Sequence, residues 1–182
     1  MKKLIFIFAL GMAFCSSILA ESITVTTTVS ASADKVGSSD QPGLLFKFDL
    51  PEELQKARID LAYLRFKVET DTTEQTFGLL VRPMLEPWSS GSKLSTVSDS
   101  AASPYHVNFG RVSLKSGAGK VEMTQVVKAW QSGELSNLGL LVYPAETEAA
   151  LKPTNLPAGG VAELEVFYTA PITIKADSTS LK

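Results

Sequence analysis

From Ile23 onward the apolar residues of this chain recur at every second position, and that period constrains the fold more than any other feature. Successive side chains of an extended chain point to opposite faces, so such runs bury one face and wet the other. Ile23, Val25, Thr27 and Val29 alternate with polar neighbours. Leu44, Phe46 and Phe48 alternate with Leu45, Lys47 and Asp49. Ala62, Leu64, Phe66 and Val68 oppose Tyr63, Arg65, Lys67 and Glu69. Phe77, Leu79 and Val81 follow, then Val107 and Phe109, then Val112 and Leu114, with a parity change at Gly110 that predicts a bulge. Leu138, Leu140 and Val142 form another run, Ala162, Leu164, Val166 and Tyr168 a late one, and Ile172 and Ile174 suggest a final edge segment. Turn signals separate these runs, among them Gln41-Pro42-Gly43, Ser89-Ser90-Gly91-Ser92, Ser116-Gly117-Ala118-Gly119 and Pro157-Ala158-Gly159-Gly160. About eight strands spaced in this way predict an all-β fold, a jelly-roll-like antiparallel β-sandwich.

Two stretches depart from the period of two. Thr124 to Ser132 sets Val126, Val127 and Trp130 at helical spacing, with Thr124 as N-cap and Gly133 just past the end. This predicts one short helix closing an end of the sandwich, with Trp130 on its buried stripe. Leu94 to Pro104 is polar and rich in Ser and Ala, which predicts a long excursion over the surface.

The first twenty residues read differently again. Met1-Lys2-Lys3 precedes an apolar run from Leu4 to Phe14, and Ala20 ends the segment before Glu21. A cationic start, a short apolar core and a small residue at the end describe a cleaved signal peptide, too short for a membrane span of about 20 residues. The expected organisation is a signal at 1–20, one β-sandwich domain at 21–174 and a flexible tail at 175–182. Cleavage after Ala20 removes Cys15, the chain's one cysteine, and Phe14 before it argues against lipidation. Loss of Lys2 and Lys3 takes the net charge from −2 to −4. A domain of this kind rests on its apolar core, without disulfide staples. No later run is long enough to anchor it in a bilayer. The expected location is extracellular, cell-surface or periplasmic.

Several function classes fall away on composition. With 17 Lys and Arg against 19 Asp and Glu and no basic cluster, the chain lacks the footprint of a nucleic-acid binder. One Cys and one His exclude thiolate or multi-His metal sites. His106 is the one candidate base for nucleophilic hydrolysis, and no serine elbow accompanies it. The acids sit at turns or alternate outward on strands, as Glu163 and Glu165 do, which a solvated surface explains without a glycosidase pair. The chain therefore reads as no enzyme and needs no cofactor. A structural calcium ion has weak support from Asp34, Ser38, Ser39 and Asp40 in one loop, which lacks an EF-hand spacing.

Three stretches resemble the DNRLRE domain, also classed as carbohydrate-binding-module family 96. Leu44-Leu45-Phe46-Lys47-Phe48-Asp49-Leu50-Pro51 resembles its strand ending in Phe-Asp-Leu. Ile59 to Ala62 with Leu64, Phe66 and Val68 resembles its next strand. Val121 to Gly133, followed by Asn137-Leu138-Gly139-Leu140, resembles its segment of Thr, Trp, Gly and Asn. Leu164 to Tyr168 resembles the closing strand, so the likeness spans roughly 44–171. It departs around Trp88, where Ser89, Ser90 and Gly91 stand in place of an acid and Ser95-Thr96 in place of a second Trp. The resemblance implies an exported, non-catalytic jelly roll, some of whose relatives bind acidic polysaccharides such as alginate.

Two functions from different classes follow. In the first, the domain binds polysaccharide, and outward Arg65, Lys67, Arg82 and Arg111, beside Lys47, form a shallow face for uronate carboxylates. Trp88, Tyr105 and Tyr143 are the candidate exposed rings for sugar stacking. In the second, the domain is a structural surface protein that associates with itself or a surface partner. Ser22 to Ser32, rich in Thr and Val, then adds a strand to an open sheet edge. Pairing of that segment within its own sandwich is the competing expectation.

Overall fold

The computed structural model describes residues 20–28, 30–37, 42–67, 76–102, 108–113, 118–145 and 161–171. Its strands are β1 (Ala20–Thr27), β2 (Ala31–Ala33), β3 (Gly43–Phe46), β4 (Arg58–Lys67), β5 (Thr76–Pro83), β6 (Lys93–Leu94), β7 (Asn108–Ser113), β8 (Ala118–Glu122), β9 (Leu140–Pro144) and β10 (Ala162–Thr169). They are hydrogen-bonded in the order β1-β10-β4-β8-β7-β5-β9-β3-β2-β6. The ladder folds over between β8 and β7, where Lys120, Gly119 and Ala118 pair with Arg111, Val112 and Ser113. A four-stranded layer, β1-β10-β4-β8, thereby faces a five-stranded one, β7-β5-β9-β3-β2, with short β6 at its margin. Every pairing is antiparallel except β2 with β6. The fold is a β-sandwich.

The period of two places the main core between the layers. Ala162, Leu164, Val166 and Tyr168 of β10 are buried in alternation with half-buried neighbours. Leu164 stands opposite Leu64 of β4, which stands opposite Val121 of β8. The second layer contributes Leu44, Phe46, Val81, Leu140 and Val142 to the same cluster. Ile23 and Val25 of β1 pack against it. Each fully buried Leu or Phe is worth about 1.5–3 kcal/mol, so this interior supplies the bulk of the stabilisation.

Helix α1 (Thr124–Ser132) runs on from β8 and closes one end. Val126, Val127 and Trp130 face the main core, and Gly133 ends the helix at φ 76°, with its N–H bonded to Trp130 O. The N-cap is Met123, not Thr124. Thr124 Oγ1 instead accepts from the buried Ala62 N–H at 3.0 Å, and Met123 N donates to Ala62 O at 2.8 Å. These two bonds satisfy Ala62 of β4, so the strand's demand for a partner outweighs the helix's demand for a cap.

The segment after β5 runs over the surface as expected, with Ser95, Thr96 and Ser98 to Ser100 exposed, and it is packed onto the outer face of the second layer. Val97, Ala101 and Ala102 are buried with Ala31, Ala33, Val36, Leu45, Met84 and Leu141 in a second cluster. Bridges Val36 to Val97 and Met84 to Ala102 fix it there. The second layer is thus apolar on both faces, which is why all four residues of β3 are buried. No bulge occurs at Gly110, which pairs with Leu79 in an unbroken β5–β7 register. The register shift falls instead between Phe167 and Tyr168 of β10.

Candidate functional site

The expected cationic face is not assembled as one surface. Arg65 and Arg82 stand on the outward sides of different layers, because their neighbours Leu64 and Val81 both point into the shared core. Arg65 is ion-paired with Glu165 across the β4–β10 ladder. Beside it, Lys120 Nζ sits 3.3 Å from the Tyr63 ring centroid, and Tyr63 meets Phe167 edge-on at 6.5 Å. Arg65 and Lys120 are therefore already engaged. Lys67 and Arg111 lie on β4 and β7, and their side chains fall outside the described residues, as do Tyr105 and His106.

Arg82 corrects the expectation of outward presentation most clearly, since it is 7% exposed. Its Nη2 donates to Ala102 O at 2.7 Å and Asp99 O at 2.9 Å, with Asp99 Oδ1 3.4 Å from Nη1. The guanidinium clasps the 3-10 turn Asp99–Ala101 to β5, a fold role. Trp88 is half-buried against the second cluster, and its Nε1 donates to Leu138 O at 2.7 Å. Its ring edge lies against Gly139, where an added Cβ would approach Trp88 Cζ2 to 3.1 Å and Phe46 O to 2.5 Å. Two depressions border this tryptophan, one of about 160 Å³ with Lys47 and Pro87 and one of about 410 Å³ with Met84 and Thr96. Tyr143 is half-buried on the same cluster. Asp34, from the loop weighed for calcium, pairs with Lys93 at 3.1 Å, and residues 38–40 lie outside the described set. No group of three or more His, Cys, Asp or Glu among the described residues could hold a metal ion.

A different place gathers uncommitted chemistry. At the end of the sandwich closed by α1, a cleft of about 510 Å³ opens between the helix and the 3-10 turn Glu52–Gln55. Leu54, Ile59, Val127 and Trp130 give it apolar walls, and Asp49, Gln55, Gln131 and Asn137 give it polar ones. Gln131 Nε2 ties the walls together by donating to Leu54 O and to Ala57 O, the latter at 2.7 Å. Asn137 Nδ2 donates to Phe48 O at 2.7 Å, which fixes the amide's orientation because that carbonyl can only accept.

That orientation leaves Asn137 Oδ1 buried without a hydrogen-bond partner, and Trp130 Nε1 is buried in the same condition. One is an acceptor and the other a donor, and both residues line the cleft. A buried polar group without a partner costs about 1–3 kcal/mol, so groups of this kind mark strain or a binding role. The setting is acidic. Asp49 is the one ionisable lining residue, and exposed Glu52 and Glu53 open the adjoining turn. Sequence reasoning placed Trp130 in the core, where it is, but did not single out Asp49, Gln55, Gln131 or Asn137. The Trp-to-Asn spacing within 121–140 was the available signal.

No protein-family model matches the chain, and no curated protein matches it either. Among the described residues no helix is long and apolar enough to cross a membrane.

Proposed function

We propose that the protein is a non-catalytic exported β-sandwich module of the DNRLRE type that binds polysaccharide or a cell-surface or matrix component. The observation that carries this reading is the end cleft, with apolar walls, a few polar groups and two hydrogen-bonding atoms that the fold leaves uncommitted. Ligand sites combine these properties, at volumes of about 300–1,000 Å³. The helix and turn that frame it are joined by Gln131, which ties the two walls together. A glycan-array screen of the protein tests the reading: a defined family of glycans is expected to bind, and a blank array at high protein concentration refutes it.

A second reading has its own support. β1 stands at the end of the strand order, paired with β10 on one side only among the described residues. Such an edge offers a ladder for strand addition by a surface partner or a second copy. Because β1 is matched to β10 over its eight residues, association of this kind uses its outer edge rather than an exchanged strand. Sedimentation across a hundredfold concentration range separates the readings, since a monomer throughout rejects assembly.

A further inference from the structure

We propose that the end cleft seats a neutral, hydroxyl-bearing sugar ring and disfavours uronates, with Trp130 Nε1–H donating to one hydroxyl and Asn137 Oδ1 accepting from another. The inference rests on the glycan-binding reading above and deepens it. Trp130 lines the cleft at 7% exposure, and its buried indole N–H is an unpartnered donor. Asn137 supplies the complementary acceptor. A hydroxyl both accepts and donates, so the hydroxyls of a sugar ring match the two groups, and discrimination against uronates rests on charge. The C–H face of a pyranose matches Leu50 and Pro51, the half-buried apolar residues of the lining. Both polar atoms lie beneath the surface, and exposed Gln55 and half-buried Leu50 are the lining side chains with room to give.

Charge sharpens the choice. The lining holds Asp49 and no cation, and the neighbouring turn adds Glu52 and Glu53 against Lys56 at its end. A ligand carboxylate ~4 Å from Asp49 is disfavoured about fivefold even at the dielectric of water. Of the arginines weighed for a uronate, the two with described side chains are engaged elsewhere, Arg65 on Glu165 and Arg82 on the Asp99–Ala101 turn.

The test is an NMR titration of the ¹⁵N-labelled protein with neutral hexaoses (gluco-, manno- and xylo-configured) and with oligomannuronate and oligogalacturonate. A neutral hexaose is expected to move the Trp130 indole N–H signal and leave that of Trp88, held on Leu138 O, in place. Trp130→Phe keeps an aromatic ring but not the donor, and is expected to weaken binding about tenfold. Asp49→Lys replaces the lining's acidic charge at an exposed position and so leaves the core untouched. It is expected to raise the ratio of oligouronate to neutral-hexaose affinity at least about fivefold. Oligouronate binding to the unmodified protein that leaves Trp130 unmoved overturns the inference while sparing the glycan reading. Neutral binding that shifts other residues only overturns the site assignment. Failure of both ligand classes to bind overturns the inference and the reading beneath it.

Discussion

Replacing Arg82 by methionine keeps an aliphatic stem of similar reach and removes a buried guanidinium. The hydrogen bonds to two backbone carbonyls go with it, to Ala102 O and Asp99 O at 2.7 and 2.9 Å. Bonds from a charged donor contribute about 1.5–3 kcal/mol each. Asp99 is exposed, so its carbonyl regains water, whereas Ala102 is fully buried and its carbonyl does not. The expected loss is therefore about 3 kcal/mol, at the lower end of the sum of two such bonds. Asp99→Ala removes only the longer ion pair, whose carboxylate side chain is 70% exposed, and exposed pairs contribute about 0–1 kcal/mol. Urea unfolding followed by tryptophan fluorescence reads both variants. With a slope of about 2 kcal/mol/M, Arg82→Met lowers the midpoint by about 1.5 M and Asp99→Ala by less than about 0.5 M. Equal shifts in the two variants refute the claim that backbone carbonyls, rather than the ion pair, carry the clasp. An unchanged midpoint in Arg82→Met, together with lost ligand binding, restores Arg82 as a recognition residue.

Other perturbations probe separate parts of the structure. Gly139→Ala combines a φ of 96° with a Cβ placed 2.5 Å from Phe46 O, and is expected to cost about 2–4 kcal/mol in thermal unfolding. Gly91→Ala, at φ 77° but in open space, costs only the left-handed penalty of about 1–2 kcal/mol, and equal losses contradict the packing argument. Thr124→Val leaves the buried Ala62 N–H without its acceptor and costs about 1–3 kcal/mol, while Thr124→Ser retains most of the stability. The Tyr168 hydroxyl donates to Glu21 Oε2 at 2.9 Å, and this bond holds its pKa above the usual 10.0. The folded state keeps the proton that the unfolded state releases, so stability is full below pH 10 and falls as pH rises through the folded value. Tyr168→Phe is expected to flatten that alkaline decline in chemical unfolding, and an unchanged pH profile counts against the bond.

The inner faces of the sandwich were legible because alternation reports burial directly: Leu64, Leu164, Val166, Phe46 and Val142 all lie where the period places them. Helix α1 was legible for the same reason at its own period, and Gly133 marked its end. Alternation does not say what covers the opposite face. Arg82 and Tyr143 leave the inner core as expected, yet the excursion from 84 to 102 lies over their side of the layer. Strands β2 and β6, three and two residues long, are too short to show a period. β8 was masked by its glycine-containing start, which reads as a turn until β4 and β7 flank it. The cleft was hidden because its polar residues come from separate turns and a helix end, where polar side chains are common. Only the fold brings Asp49 and Asn137 together.

The cleft assignment is tested most directly by where a ligand settles. A crystal structure of the protein with the best glycan from the array is expected to show a sugar ring between the Glu52–Gln55 turn and α1, with hydroxyls on Trp130 Nε1 and Asn137 Oδ1. A glycan seated on the Arg65–Tyr63 face, with the cleft unchanged from the free protein, contradicts it.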